Sequence, residues 1–160
     1  MNADVSAFAH KLRTRVCGLM VYSGAILLTQ IHSPVTDEQL WMPPGGGIDF
    51  GETMTDCLKR EFREETNLEI EVGELLHLNE LVSPPFHAVE CYFEVKKKSG
   101  SPKLGYDPEL EKNEQLLHKL KWIPLAELEN IDWAPQSLED KLKNWEKRYT
   151  YPVFTGTSKI

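Results

Sequence analysis

The chain reads as one α+β domain, a mixed β-sheet carrying a central helix and a terminal one. Three observations predict it. Short apolar stretches alternate with period two, as Val89–Val95 (VECYFEV) does. Two longer stretches, Thr53–Glu65 and Pro135–Arg148, carry helical spacing. Pro43-Pro44-Gly45-Gly46-Gly47 is the strongest break between them. A length of 160 residues suits a single domain over 1–160, with residues 1–11 as a loose N-terminal arm.

Met1–Ala9 carries little pattern and fits an arm or a short helix. Arg13–Tyr22 and Ala25–Ile31 read as paired strands, with Ser23-Gly24 as the turn. Val16–Leu28 follows Lys11, Arg13 and Arg15 and so imitates a signal peptide. Ser23-Gly24 interrupts it, no A-x-A-like site follows, and it is shorter than the ~20 apolar residues a bilayer needs. Ser33–Gln39 is a polar loop. Thr53 with Asp56 three residues later fits a capping box opening the central helix. Leu68–Val72 and Glu74–Leu81 read as strands, Ser83-Pro84-Pro85 breaks them, and Ala88–Lys96 is a half-buried strand. Lys97–Asn113 is a polar surface loop, Leu117–Ile123 a strand and Pro124–Leu128 a turn or short helix. Pro135–Arg148 is the terminal amphipathic helix, with proline in its first turn.

Composition narrows function. Eighteen Lys and Arg against 25 Asp and Glu give a net charge of −7, which disfavours counterion-driven binding to nucleic acid. Neither a membrane nor a nucleic acid is expected as a partner, and a phosphorylated small molecule is admissible if a cation mediates the contact. Cys17, Cys57 and Cys91 are odd in number and widely spaced, so neither a disulfide framework nor a zinc site is expected. A reducing cytoplasm is the compartment they imply.

The glycine loop excludes three common readings. A dinucleotide fingerprint needs a third glycine where Phe50 stands. Gly46 and Gly51 have P-loop spacing, but Glu52 replaces the lysine that would face phosphate. Asp49-Phe50-Gly51 spells a kinase triplet in a chain too short for a kinase and without its catalytic loop. The plainest alternative is a flexible turn before a helix.

That helix carries Arg60-Glu61-Phe62-Arg63-Glu64-Glu65. At about 100° per residue, Glu64 lies ~60° to one side of Glu61 and Glu65 ~40° to the other. Three carboxylates therefore share one face, toward the end of the helix where the dipole disfavours anions. Such a cluster is either a solvated charged surface or an oxygen-donor site for a hard cation such as Mg²⁺ or Mn²⁺.

Gly46, five residues, Glu52, seven residues, then Arg60-Glu61-Phe62-Arg63-Glu64-Glu65-Thr66-Asn67-Leu68 resembles the Nudix box of the MutT-like Nudix hydrolases. The resemblance covers the 23 residues Gly46–Leu68, with the later Trp122-Ile123-Pro124-Leu125 a less specific likeness. It implies an αβα sandwich with the box helix at its centre, and hydrolysis of a pyrophosphate linkage in a nucleoside diphosphate joined to a group X, an ADP-ribose-like molecule or a (d)NTP. It implies Mg²⁺ (or Mn²⁺) held by Glu61, Glu64 and Glu65. Glu61 or Glu64 would orient or deprotonate water, and Arg60 would pair with Glu52 to hold the carboxylates. Gly45, Gly46 and Gly47 would let the backbone turn tightly beside the helix. Some family members take a further ligand or base from a later loop; Glu109, Glu111 and Glu114 lie in such a loop, with Glu114 as the residue named for the role and plain solvation as its alternative. Many relatives dimerise. Two departures stand out: Phe62 replaces an aliphatic residue, and Asn67 replaces a glycine at the helix C-cap, where Asn is the next best left-handed residue. A nucleotide-sensing Nudix-like domain without catalysis is the rival reading, set against the retention of Glu52, Glu61, Glu64 and Glu65.

Substrate clues are thin. Pro84 stands where ADP-ribose pyrophosphatases resemble one another, and Phe86 stands where dinucleoside polyphosphate hydrolases have tyrosine. Trp41, Phe86, Tyr92 and Trp133 could stack a base or simply pack. The five histidines show no ligand spacing, and Lys96-Lys97-Lys98 reads as solvated.

Overall fold

The computed structural model describes residues 7–33, 36–106, 108, 111–112 and 115–159. The strands are β1 (Leu12–Leu19), β2 (Val21–Tyr22), β3 (Ala25–His32), β4 (Gln39–Met42), β5 (Gly45–Gly47), β6 (Glu69–Ser83), β7 (Phe86–Ser99), β8 (Leu117–Pro124) and β9 (Phe154–Lys159). The α-helices are α1 (Met54–Thr66) and α2 (Glu139–Lys143). One sheet runs in the order β5-β1-β7-β6-β9 and mixes parallel with antiparallel pairs; the other joins β2, β3 and β4, with β8 on the far side of β3.

Two apolar cores flank these strands. Helix α1 lays Cys57, Leu58 and Phe62 against Val16, Met20, Leu27, Cys91 and Val95. Cys17, Leu19, Ile26, Leu28 and Tyr92 turn to the other side, where Leu128, Leu138 and Leu142 of the C-terminal segments cover them. Helical elements thus lie on both sides of the strands, as expected for an α+β sandwich. Neighbouring residues such as Val16 and Cys17, or Leu27 and Leu28, serve opposite cores. A strand buried on both faces reads as an unbroken apolar run, which is why Val16–Leu28 imitates a signal peptide.

The expected hairpin between Arg13–Tyr22 and Ala25–Ile31 is corrected in extent. Only Val21 and Tyr22 pair with β3 across Ser23-Gly24. β1 belongs to the other sheet, parallel to β7 and antiparallel to β5. The chain changes sheets at Met20, and no local pattern announces a parallel partner seventy residues away. The described part of the N-terminal arm is a turn, pinned by the His10 amide donating to the Pro85 carbonyl at 2.8 Å.

Phe62 is fully buried, and Gly18 makes room for it: a Cβ there would overlap the ring. The larger residue is matched by a smaller one on the facing strand, a volume-conserving exchange. The two strands expected over Leu68–Leu81 are one long strand, β6, with irregular register around Val72–His77. The loop expected from Lys97 begins after Ser99.

The expected terminal helix over Pro135–Arg148 is also corrected. The segment is a 3₁₀ turn (Gln136–Leu138), the single α-helical stretch α2, and a second 3₁₀ turn (Trp145–Thr150). Its apolar spacing is satisfied piecewise: Leu138 and Leu142 are buried, while Lys141, itself buried, donates to the carbonyls of Leu76 and Pro152. Those bonds tie the segment to β6 and to the lead-in of β9. β9 was not expected from the sequence; FTGTSK has no apolar alternation and is a mostly exposed edge strand.

Candidate active site

The site forms where α1 meets β5. Thr53 caps the helix as its sequence predicts, its hydroxyl accepting from the Asp56 amide at 3.1 Å. At the other end Asn67 adopts φ 61°, the left-handed C-cap, and its amide donates to the Arg63 carbonyl. Between these ends Cys57, Glu61 and Glu65 form one i,i+4 row. The Cys57 thiol donates to the Gly47 carbonyl at 3.3 Å, so the row faces β5.

β5 corrects the expectation of a tight glycine turn beside the helix. Gly45–Gly47 is extended and paired antiparallel with Arg15, Val16 and Cys17. Its glycines are needed for close approach. A Cβ on Gly45 would overlap the Val16 carbonyl, and one on Gly46 would overlap the Glu61 carboxylate. The Gly45 amide donates to Glu65 Oε2 at 3.1 Å. The glycine strand therefore receives the carboxylate face of α1 directly.

Arg60 organises the remaining acids. Its Nε and Nη2 bind Glu52 in bidentate fashion at 2.8 and 3.0 Å, as the family resemblance implied. Its Nη1 donates to Glu61 at 2.9 Å and Glu64 at 3.3 Å, and Asp49 lies 3.7 Å from Nη2. Four carboxylates thus surround one guanidinium. The Arg60 hydrogen bonds hold the Glu52 carboxyl down to about 2, and the same acids raise the arginine's own pKa. Arg60 offsets repulsion between Glu61 and Glu64 on the crowded face.

The donor set suits a hard divalent cation: Glu61, Glu64 and Glu65 supply only carboxylate oxygen, and the bare Gly46 Cα leaves space into which the Glu61 carboxylate fits. Among the described residues no three His, Cys, Asp or Glu side chains already converge as a metal cage. Glu61 and Glu64 are held by Arg60 and Glu65 by Gly45, so a cation would exchange places with protein donors. Glu114 lies outside the described residues.

Glu61, Glu64, Glu65, Arg60 and all three β5 glycines line a cleft of about 710 Å³. Its opposite wall was not legible in the sequence. Arg15 on β1 donates to Glu90 on β7 at 3.0 Å, Asn79 on β6 donates to the same carboxylate at 2.9 Å, and Ser158 on β9 donates to Asn79 at 3.0 Å. These residues form a polar row across the sheet, beginning at Gly47, the partner of Arg15. Glu90 also accepts from the buried Tyr92 hydroxyl at 3.0 Å. Period-two spacing places Arg13 with Arg15 and Glu90 with Tyr92, but pairing the strands needed the fold. Of the aromatic residues singled out above, Phe86 and Trp133 line the cleft, Tyr92 is core, and Trp41 lines a separate recess of about 360 Å³.

Fold and site together define an α+β enzyme domain with an acidic helix set against a glycine strand, and comparison with known proteins gives that class its name. Residues 11–147 match the NUDIX domain, and the chain belongs to the Nudix family of hydrolases, enzymes that cleave phosphoric anhydride bonds. It is 28% identical over 127 residues to a Mycobacterium tuberculosis protein named as a candidate 8-oxo-dGTP diphosphatase, a match covering 75% of this chain and 79% of that one. A nucleoside triphosphatase from Enterobacter sp. strain 638 is 42% identical over 62 residues, which is 38% of this chain and 43% of that protein. Among solved structures, a MutT Nudix hydrolase from Burkholderia pseudomallei superposes with a TM-score of 0.65 at 21% identity, covering 83% of this chain and 97% of that one; the likeness concerns the fold. Among the described residues no helix is long and apolar enough to cross a membrane.

Proposed function

We propose that this chain is a divalent-cation-dependent pyrophosphohydrolase acting on a nucleotide-derived small molecule, with a nucleoside triphosphate as the first substrate class and an ADP-ribose-like diphosphate as the second. The observation that carries the reading is the gathering of Glu61, Glu64 and Glu65 against the glycine strand at the wall of a roomy cleft. The names of the relatives favour the triphosphate arm.

In this reading Glu61, Glu64 and Glu65 hold Mg²⁺ or Mn²⁺. A divalent cation bound there supplies neutralisation of the anhydride's charge and acidifies the attacking water. Glu61 or Glu64 orients that water and accepts its proton. Arg60, fixed by the bidentate Glu52 pair, keeps both carboxylates aimed at the cleft and limits their swing. Gly45 anchors Glu65 through its backbone amide. The cleft wall of Arg15, Glu90, Asn79 and Ser158 faces the rest of the substrate. All four acids of the box are present, which supports catalysis over nucleotide sensing.

The test is a panel of NTPs, oxidised dNTPs, ADP-ribose, dinucleoside polyphosphates and CoA, each with Mg²⁺ or Mn²⁺, scored by product identity. Turnover of at least one phosphoric anhydride that EDTA abolishes is expected. Equal turnover in EDTA, or none with any member, overturns the reading.

A further inference from the structure

The chain carries a net charge of −7, yet its cleft holds two guanidinium groups side by side on β1. Arg13 and Arg15 are two residues apart on one strand and so share a face. Their register partners on β7 are Ala88 and Glu90. Arg15 is neutralised by one oxygen of Glu90, whose other oxygen accepts from both Asn79 and Tyr92. Arg13 faces Ala88 and receives no such partner: among the described residues no carboxylate stands within ion-pair distance of it. Its contact is the ring of Phe8, whose centroid lies 4.2 Å from the guanidinium carbon.

Such a group is costly to keep. Burial, followed by repulsion from Arg15, lowers its pKa to about 10, with Glu90 acting back on it only at longer range. It is still a cation at neutral pH, partly withdrawn from water beside a like charge. The Phe8 ring lies against the guanidinium carbon and offers no oxygen acceptor, so the N–H groups keep their capacity for a bidentate grip. The position is specific. Arg13 Nη2 lies 3.8 Å from where a Gly47 Cβ would stand, and the Gly47 carbonyl accepts from Arg60 at 3.4 Å. The glycine strand therefore has the acidic helix on one side and this unmatched arginine on the other.

We propose that Arg13 is a substrate-binding residue that grips phosphoryl oxygens of the substrate, so that the phosphate chain lies across β5 between the α1 carboxylates and the Arg13–Phe8 stack. The ligand supplies the counter-charge that the protein omits. This rests on the pyrophosphohydrolase reading above, because that reading puts a phosphoric anhydride in the cleft. Phe8 acts through Arg13 as a positioning residue.

The test uses the full chain and inorganic pyrophosphate as the probe, with EDTA present so that no cation mediates binding. Affinity is measured by calorimetry for the wild type, Arg13→Gln and Arg13→Lys. A charge-assisted bidentate contact predicts an affinity loss of about tenfold or more in Arg13→Gln and a smaller loss in Arg13→Lys, which keeps the charge but not the fork. On whichever nucleotide the panel identifies, KM should rise in Arg13→Gln with kcat within about threefold of wild type. Arg13→Lys keeps the question open to measurement if the glutamine variant fails to fold. Wild-type affinity for pyrophosphate in both variants, or no measurable pyrophosphate binding by the wild type, overturns the proposal. The failure of the two readings is separable: a wild type that binds pyrophosphate through Arg13 but turns over nothing on the panel sinks only the catalytic reading.

Discussion

At the scale of single residues, the site depends on where each carboxylate is tethered. Glu61 and Glu64 share the Arg60 guanidinium, and Glu65 is held by a backbone amide. Replacing Glu64 or Glu65 with Gln keeps shape and hydrogen bonding but removes charge. Each change should lower kcat by about a hundredfold while leaving the circular dichroism spectrum and melting curve native-like. Gly46→Ala tests the close approach instead. The atoms in its way are the mobile end of Glu61, so the fold should survive while the carboxylate moves and kcat falls by about tenfold or more. Glu52 supplies a pH signature. Its pKa is lowered from 4.5 to about 2, chiefly by hydrogen bonds from Arg60. A depressed carboxylate stabilises the fold fully above the unfolded value and loses that contribution as pH falls through the folded one. Between pH 4.5 and pH 2 stability should therefore drop with falling pH, and in Glu52→Gln the slope in that window should be shallower by about one proton in acid titrations of unfolding.

At the scale of elements, α1 is capped at both ends, but its last turn owes as much to a distant loop. The Lys103 amide donates to the Thr66 carbonyl at 2.9 Å and the Gly105 amide to the Glu65 carbonyl at 2.8 Å. A Cβ on Gly105 would overlap the Glu64 backbone carbonyl. Backbone cannot swing aside as a side chain can, so Gly105→Ala should cost about 1–3 kcal/mol in chemical denaturation and lower activity by displacing the turn that carries Glu64 and Glu65. Asn67→Ala should cost about 1–2 kcal/mol, because alanine is disfavoured in the left-handed cap and loses the bond from Asn67 to the Ser101 carbonyl; kcat should hold. The helix and its N-cap were legible because they rest on neighbouring residues, and the C-cap because the family resemblance placed Asn67 there. The loop that supports its last turn was not, since Gly105 and Glu65 are forty positions apart and only packing joins them. The terminal segment failed as one helix for the same reason. Its apolar spacing was real, but buried Lys141 bonding to the carbonyls of β6 and the β9 lead-in decided its path.

At the scale of the whole molecule, the proposed cation site is a stability lever. A cation that binds the native state and not the unfolded chain raises the melting temperature by mass action. Mg²⁺ at ten times its dissociation constant should raise it by about 4 °C, and the rise should vanish in Glu64→Gln or Glu65→Gln. A differential scanning measurement with and without millimolar Mg²⁺ decides this, and an unchanged curve would count against a preformed site. The cleft is likewise a property of the whole: its walls come from both sheets (β1, β3, β4, β5, β6, β7, β8 and β9), α1 and the loop around Trp133. Trp133 reaches it through a bridge to Trp41, which ties the second sheet to the segment before α2.

Sequence by itself determined the α+β class, a helix read over Thr53–Glu65 with Thr53 opening it, and the face shared by Glu61, Glu64 and Glu65, while the family resemblance supplied the Asn67 C-cap and the Arg60–Glu52 pair. These are local matters: helical period, capping chemistry and charge crowding act over a few residues. Only the tertiary structure decided that the glycines form a strand, that β1 leaves its hairpin to lie parallel to β7, that β9 exists, and that Arg13 faces the cleft without an acidic partner. Sheet pairing is set by which buried faces fit together across the chain. That is a property of contacts far apart in sequence, and no local pattern encodes it.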